Sequence, residues 1–199
     1  MRHTALLLVA LGACTPHLRP ATVVAPVDTS DVTMTETEEA STPPETAVSA
    51  DLRALVIDLA AQGEVTSAGV GYSGEKSASY AAYEALVAVA STADLEKLLD
   101  HPSPVVRAYV AGHLAMKDGA SLDAIDGALR DRSSIDAQYG CMGHRTSVAA
   151  HVTTQLCGAL SLDLPHRGDA EQRLATLAAD PTAPSQAAAA RCLHQYAAP

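Results

Sequence analysis

The sequence predicts an all-α protein, and three observations lead to this prediction. Alanine and leucine dominate the apolar residues of the 199-residue chain, which contains no Phe and no Trp. Small or flexible side chains of this kind favour helices and allow neighbouring helices to pack closely. From Asp51 onwards, apolar residues recur at helical spacing, and glycines or Asp/Pro turns separate the segments that carry them.

A glycine-rich stretch separates the first two predicted helices. The first helix is expected to end at Gly63, and its apolar face is formed by Leu52, Leu55, Val56 and Leu59. Residues 68 to 74 are expected to form an inter-helix loop. Ser77 or Ser79 can then cap the second helix, because a serine hydroxyl accepts a hydrogen bond from a free N–H of the first turn.

The third and fourth helices form the best-defined pair. Ser91 or Thr92 is predicted to start the third helix, which ends at Asp100-His101-Pro102. Pro104 lies in the first turn of the fourth helix, where the missing N–H of proline costs no helical hydrogen bond. The fourth helix is expected to end near Gly119.

The pattern of this helix pair recurs further along the chain. Leu95 to Ser103 is matched by Leu174 to Thr182, and a fainter copy lies between them. The matching apolar positions of the first and middle copies are Val106, Val110 and Leu114, and Val148, Val152 and Leu156. The middle copy requires an insertion from about Ile135 to Thr146. Because neither helix of a repeat can bury its apolar stripe alone, stacked pairs are expected, with a helical bundle as the alternative.

The stretch from Asp94 to Leu114 resembles a HEAT-like repeat of the α-solenoid proteins. Its turn and the arginine that follows carry the resemblance, through Asp100, Pro102, Pro104 and Arg107. In that family, the arginine ties adjacent repeats together by bonding carbonyls or an acidic turn residue. The segment from Gly71 to Leu114 is also similar to HEAT-repeat proteins of bacterial envelopes. The resemblance implies a short α-solenoid of stacked helical hairpins over residues 51–199.

The first fourteen residues resemble the export signal of a bacterial lipoprotein. Met1 to Ala13 has a basic start, a short apolar run and small residues before Cys14, as in a secretory signal peptide. A cysteine at this place resembles the lipobox, which implies that Cys14 is acylated and anchors the protein in the cell envelope. Thr15 lacks the aspartate that retains many lipoproteins in the inner membrane, so the outer membrane is favoured. An ordinary cleaved signal peptide is the alternative.

Residues 14–50 are expected to form a disordered acidic linker. They are rich in Thr, Pro and Glu, and no apolar period persists in them. The linker carries roughly half of the excess negative charge of the chain, whose formal net charge is -10. An acidic protein repels phosphate backbones, so nucleic-acid binding is not expected.

Three cysteines remain once Cys14 is set aside, which is an odd number for an oxidising compartment. We expect one disulfide that joins Cys157 to either Cys192 or Cys141, and one buried free thiol. A competing interpretation is a zinc-binding or hydrolytic site, because two thiols and two imidazoles are a natural zinc set. Its candidate ligands are Cys141, His144, His151 and Cys157.

No catalytic motif is complete, so the sequence favours a binding protein without a cofactor. The inserted loop is expected to project from one edge of the repeats and to bind an envelope protein or peptide. Its candidate binding residues are Tyr139, Met142, His144 and Arg145. A passive structural lipoprotein is the remaining alternative.

Overall fold

The computed structural model describes residues 50 to 196. The expected signal peptide, the expected lipidation site Cys14 and nearly all of the expected linker lie outside the described residues. Within residues 50 to 196 there are seven α-helices, three β-strands and three short 3-10 turns. The helices are α1 (Ala50–Gln62), α2 (Ala78–Val89), α3 (Thr92–Lys97), α4 (Pro104–Met116), α5 (Val148–Ser161), α6 (Arg167–Ala179) and α7 (Gln186–Tyr196). The strands are β1 (Glu64–Val70), β2 (Ser134–Gly140) and β3 (Met142–Ser147), and the 3-10 turns are Leu98–Asp100, Leu122–Ile125 and Ala128–Arg130.

Helix boundaries in the first half follow the predicted capping chemistry. Helix α1 ends directly before Gly63, whose φ of 76° lies in the left-handed region. Glycine adopts this conformation readily because it has no Cβ atom. Ser77 caps α2 by accepting a hydrogen bond from the Tyr80 N–H, and Ser91 forms a capping box with Asp94 at the start of α3. Pro104 opens α4, as predicted.

The prediction of an all-α protein is wrong, because the described residues include a mixed sheet in the order β1-β2-β3. Strand β1 runs parallel to β2, with Val65 opposite Ala137, and β2 runs antiparallel to β3. Strand β1 therefore takes in the first three residues, 68–70, of the expected loop, and β2 and β3 occupy the expected insertion at 135–146. Gly140 and Cys141 form the two-residue turn of the β2–β3 hairpin, and Gly140 adopts the positive φ of 57° that such turns favour.

The solenoid prediction is also wrong, and the middle copy shows why. Its expected first helix consists of two 3-10 turns on either side of Asp126-Gly127. A segment this short gains too few hydrogen bonds to offset helix nucleation, and glycine weakens a helix further. The inserted residues then pair as strands instead of extending a helical stack.

The centre of the core is nevertheless formed by the longer helices of the first and middle copies, α4 and α5. Among the described elements, α4 and α5 form the most extensive contact. The apolar positions aligned in the two copies are all buried, with at most 1% of any side chain exposed: Val106, Val110, Leu114, Val148, Val152 and Leu156. Fully burying each of these side chains stabilises the fold by about 1.5–3 kcal/mol relative to exposure.

A chain of polar contacts joins the three inter-helix turns. Arg107 donates to the carbonyl oxygens of His101 and Pro102 in its own turn, at 2.6 and 3.0 Å. It also donates to Asp131 at 2.8 Å and to Ser133 at 2.9 Å in the next turn. One planar guanidinium thus closes one turn and fixes its neighbour, which a lysine ammonium cannot do with the same geometry.

The third turn is joined to the second in the same way. Arg130 pairs with Asp180 at 2.9 Å, and Arg132 donates to the carbonyl oxygen of Thr182. Within this turn, Asp180 accepts the N–H of Thr182, just as Asp131 accepts the N–H of Ser133. These aspartates occupy matching positions of the aligned copies, so the turn chemistry of the copies is shared although their helices differ.

A disulfide between Cys157 and Cys192 joins α5 to α7, with Cα atoms 5.9 Å apart. The prediction that Cys157 is disulfide-bonded is therefore confirmed, and its partner is Cys192. The third cysteine was expected to be buried, and that expectation is wrong. Cys141 is free and exposed, because it lies in the tight turn between β2 and β3.

Candidate functional site

The hairpin divides the four predicted binding residues between its two faces, and they differ in exposure. Tyr139 is half-buried, and its hydroxyl lies 2.6 Å from Nδ1 of His151 on α5. Met142, His144 and Arg145 are exposed on β3, where 73% of Met142 is accessible to solvent. The register places Tyr139, Met142 and His144 on one face of the hairpin, with the rings of Tyr139 and His144 5.6 Å apart, and places Arg145 on the other face. The sequence-based interpretation treated all four residues as one loop surface.

The four candidate zinc ligands do not form a metal site. Cys157 is oxidised in the disulfide and has no thiolate to offer a metal. His151 is buried on α5, while His144 and Cys141 are exposed on the hairpin. Among residues 50 to 196, no group of three or more His, Cys, Asp or Glu side chains is placed to hold a metal ion.

A cleft of about 320 Å³ lies where β1 and β2 meet α2, α4 and α5. Its lining includes four of the six tyrosines of the chain and two of its eight histidines. These rings belong to Tyr80, Tyr83, Tyr109, Tyr139, His113 and His151. Because the chain has no Phe and no Trp, this cleft, here called the tyrosine cleft, concentrates most of its aromatic surface.

Tyr109 fastens one wall of the tyrosine cleft to the sheet. Its hydroxyl accepts the backbone N–H of Thr66 on β1 at 2.7 Å and lies 3.3 Å from the carbonyl oxygen of the same residue. The ring of Tyr109 stacks on that of Tyr83, with centroids 4.8 Å apart. Burial raises the pKa of Tyr109 and raises that of Tyr83 to about 12, so both rings remain protonated phenols near neutral pH.

A second tyrosine, Tyr139, joins the sheet to α5 through His151. The two rings are 2° from parallel with centroids 6.3 Å apart. Since the hydroxyl and Nδ1 are only 2.6 Å apart, this spacing places the rings side by side in one plane. Burial lowers the pKa of His151 to about 4, so the imidazole is uncharged near neutral pH. The hydroxyl of Tyr83 contacts Nδ1 of His113 in a similar way, at 3.0 Å.

Gly112 leaves room for His151 between α4 and α5. A Cβ atom at this position would lie 3.0 Å from Nε2 of His151 and 3.1 Å from Cγ of Gln155. Both distances are too short for ordinary contacts, and Gly112 is buried between the helices. A glycine inside a helix costs stability of its own, so its presence here reflects the close approach of the imidazole.

A larger cavity of about 580 Å³ lies between α6 and the 3-10 turns. Arg173 spans it by pairing with Asp123 and Asp126, and Arg130 at its rim pairs with Asp180. Both arginines of the lining are therefore already paired with carboxylates, and the lining as a whole holds three carboxylates, Asp123, Asp126 and Asp169, against these two arginines. The tyrosine cleft is the better candidate site, because it combines apolar ring surface with polar atoms that have no such partners.

Sequence reasoning did not find the tyrosine cleft, although two signals pointed to it. The six tyrosines are the only Phe, Trp or Tyr residues of the chain, and any of them that is buried needs a hydrogen-bond partner, which indicates specific polar contacts. Gly112 in the middle of a predicted helix indicates a close approach. The positions of the partners could not be inferred, since Thr66 and Tyr109 are 43 residues apart in sequence.

Comparison with protein-family models, with curated proteins and with solved structures finds no match to this chain. Among the described residues, no helix has both the length and the apolar character needed to cross a membrane.

Proposed function

We propose that this chain is a lipid-anchored protein of the bacterial cell envelope that binds an extended segment of another envelope protein. The binding surface is the outer edge of β3. The observation that supports this proposal is that β3 is an edge strand whose first four residues, Met142 to Arg145, are exposed. Exposed edges offer unpaired backbone groups to a further strand.

The register of the hairpin identifies the backbone groups that a partner strand would use. Tyr139 and Met142 flank the two-residue turn and form a hydrogen-bonded pair, so the next pair, Gln138 and Gly143, is not hydrogen-bonded. The alternation makes Asp136 and Arg145 a second such pair. The N–H and C=O groups of Gly143 and Arg145 therefore point away from β2, towards the free edge.

The two edges of the sheet differ in how they are covered. Strand β1 is packed by α2 and α4, and residues Val65 and Thr66 are buried. Among the described elements, strand β3 makes its main contacts with β2 and with the adjoining helix α5. Met142 adds an adaptable apolar side chain at the end of β3, of a kind that is enriched at protein interfaces.

The lipid anchor is proposed from the residues around Cys14. Removal of Met1 to Ala13 would leave Cys14 at the amino terminus, where acylation would tether the protein to the outer membrane. Cells fed an alkyne analogue of palmitate should label the wild-type protein and should not label a Cys14→Ser variant. Equal labelling of both would refute the anchor without bearing on β3.

Binding along β3 can be tested with a matched pair of substitutions. Arg145→Pro removes the outward N–H of residue 145, whereas Arg145→Ala removes only the side chain and its ion pair with Asp136. A photo-crosslinking amino acid placed at His144 in living cells should capture an envelope protein in the Arg145→Ala background and lose it in the Arg145→Pro background. A crosslinker at exposed Ile57 on α1 is the control for non-specific capture.

The proposal fails if the crosslinked partner is equally abundant in both backgrounds, because backbone pairing would then not be required. It also fails if His144 and Ile57 capture the same partners. Circular dichroism of the purified Arg145→Pro variant should show the wild-type unfolding curve, which separates loss of binding from loss of the fold.

A further inference from the structure

We propose that the tyrosine cleft is a second binding site, independent of β3, for an uncharged ring compound that carries an amide carbonyl. The two sites lie on different parts of the hairpin. Tyr139 of β2 faces the cleft, whereas β3 contributes no residue to its lining.

The charge of the cleft favours an uncharged ligand. None of the described residues that line it is Lys, Arg, Asp or Glu. Burial lowers the pKa of both histidines in the lining, His113 and His151, so neither imidazole supplies a positive charge near neutral pH. An ion that entered would lose hydration without gaining a counter-charge, which costs several kcal/mol in an apolar setting.

His151 supplies an unpaired polar atom at the wall of the cleft. Only 5% of this residue is exposed, and its Nδ1 is hydrogen-bonded to Tyr139. No described residue forms a hydrogen bond with its Nε2. A fully enclosed polar side-chain atom without a partner occurs only once among the described residues, at Nδ1 of His166. Since Nε2 of His151 also has no partner, it is not fully enclosed and retains some access to solvent. It opens into the cleft that His151 lines.

The hydrogen bond from Tyr139 determines what this nitrogen offers. A phenol is a stronger donor than a neutral imidazole N–H, and an imidazole nitrogen is a stronger acceptor than a phenol oxygen. The Tyr139 O–H therefore donates to Nδ1, and the single proton of the neutral ring resides on Nε2. His151 thus presents an N–H donor to the cleft, which matches a carbonyl oxygen.

The remaining groups complete a neutral site for an amide. Nε2 of His113, the hydroxyl of Tyr80 and the side-chain amide of Gln155 line the cleft and have no hydrogen-bond partner among the described residues. The coplanar rings of Tyr139 and His151 form a flat wall beside them. A volume of about 320 Å³ is at the small end of ligand pockets and accommodates one or two rings.

Three small probes of one shape test the preference for an uncharged ligand. Benzamide, benzoate and benzamidine share a ring and differ in charge. Titration of the purified, isotope-labelled protein at pH 7, followed by NMR of the histidine ring nitrogens, should show benzamide binding at His151. Its dissociation constant should be more than about tenfold lower than that of either ion. N-acetylglucosamine, a neutral amide on a sugar ring, should shift the same signals if the natural ligand is a saccharide and should leave them unchanged if it is an aromatic amide.

Gly112→Ala supplies the matched structural test. The added methyl group meets Nε2 of His151 and should weaken benzamide binding more than about tenfold, whereas Gly168→Ala on α6 meets no atom within 4 Å and should bind normally. Tyr139→Phe should bind benzamide more weakly. In this variant, NMR of the ring nitrogens should also show the proton of His151 distributed over Nδ1 and Nε2, which loss of packing alone would not produce.

Several results would overturn the proposal. It fails if benzoate or benzamidine binds as tightly as benzamide, if no probe shifts the His151 signals up to its solubility limit, or if the neutral probes shift only residues outside the cleft. Unchanged benzamide affinity in Gly112→Ala would contradict it as well. Arg145→Pro should retain benzamide binding, so that failure at β3 and failure at the cleft remain distinguishable.

Discussion

Lowering the pH from 7 to 5 should destabilise the protein because of His151. Burial lowers the pKa of this imidazole to about 4, whereas the ordinary value is 6.5. Between pH 4 and pH 6.5, the His151 ring is therefore protonated in the unfolded chain but neutral in the folded protein. Because the unfolded state binds more protons, the free energy of unfolding falls as the pH falls. The difference between the two pKa values corresponds to roughly 3 kcal/mol of unfolding free energy, all of which is lost once the pH is below 4. About 2 kcal/mol should already be lost at pH 5.

Urea denaturation at a series of pH values measures this loss. His151→Gln removes the titrating ring, so the variant should lose much less stability between pH 7 and pH 5, whatever its stability at pH 7. His194→Gln, on the exposed face of α7, should behave as the wild type does. Burial also lowers the pKa of His101 and His113, and these residues should contribute smaller losses of the same sign.

The pH window separates the histidine effect from that of the carboxylates. Hydrogen bonds from Thr182 and then Arg130 lower the pKa of Asp180 to about 2. Its stabilising effect is therefore complete above the ordinary value of 3.8 and is lost only as the pH falls from there towards 2. The reasoning about His151 is refuted if the wild type loses less than about 0.5 kcal/mol between pH 7 and pH 5, or if His151→Gln loses as much as the wild type.

Two further variants, each with a matched control, test the cross-links of the fold by urea denaturation at pH 7. Replacing Cys157 and Cys192 by serine opens a bond between residues 35 positions apart, which should cost about 4 kcal/mol by loop-closure entropy, whereas Cys141→Ser should change nothing. Arg107→Lys keeps the charge but loses the forked contacts to two turns and should cost about 2 kcal/mol, whereas Arg145→Lys, whose side chain is 74% exposed, should stay within about 0.5 kcal/mol. If Arg107→Lys and Arg145→Lys lose equally little unfolding free energy, the forked contacts of Arg107 are not needed and its charge alone stabilises the turns.

The helices could be predicted from sequence because their signals are local. Ser77, Ser91, Pro104 and Gly63 each act within one helical turn of their own position, and each marks a boundary that the structure has. Apolar periodicity also identified the packed faces of α4 and α5, although 31 residues, 117–147, lie between the two helices in the chain. The expected stack of helical pairs was wrong, but burial of the two apolar stripes explains why these faces meet, whatever path the chain takes between them.

The sheet could not be predicted in the same way. Its central strand carries a usable signal, since Ile135 and Ala137 are buried and alternate with more exposed polar residues. Strand β1 has no such alternation, because Val65 and Thr66 are adjacent and both buried. It becomes a strand by pairing with β2, and Gly140 and Ser67 of that pair, 73 residues apart, are hydrogen-bonded. A pairing over this distance leaves no periodic trace in either segment.

The tyrosine cleft combines both kinds of information, and Gly112 shows how. In the sequence, a glycine within Pro104–Met116 only weakens an otherwise good helix, by about 1 kcal/mol relative to alanine. In the structure, the missing side chain is the space beside Nε2 of His151, and Tyr139 holds that ring from the opposite nitrogen. Helix α4, helix α5 and strand β2 must therefore all be in place before this imidazole can present its free N–H. The cleft is a property of the helices and the sheet together, which is why an all-α interpretation of the chain could not contain it.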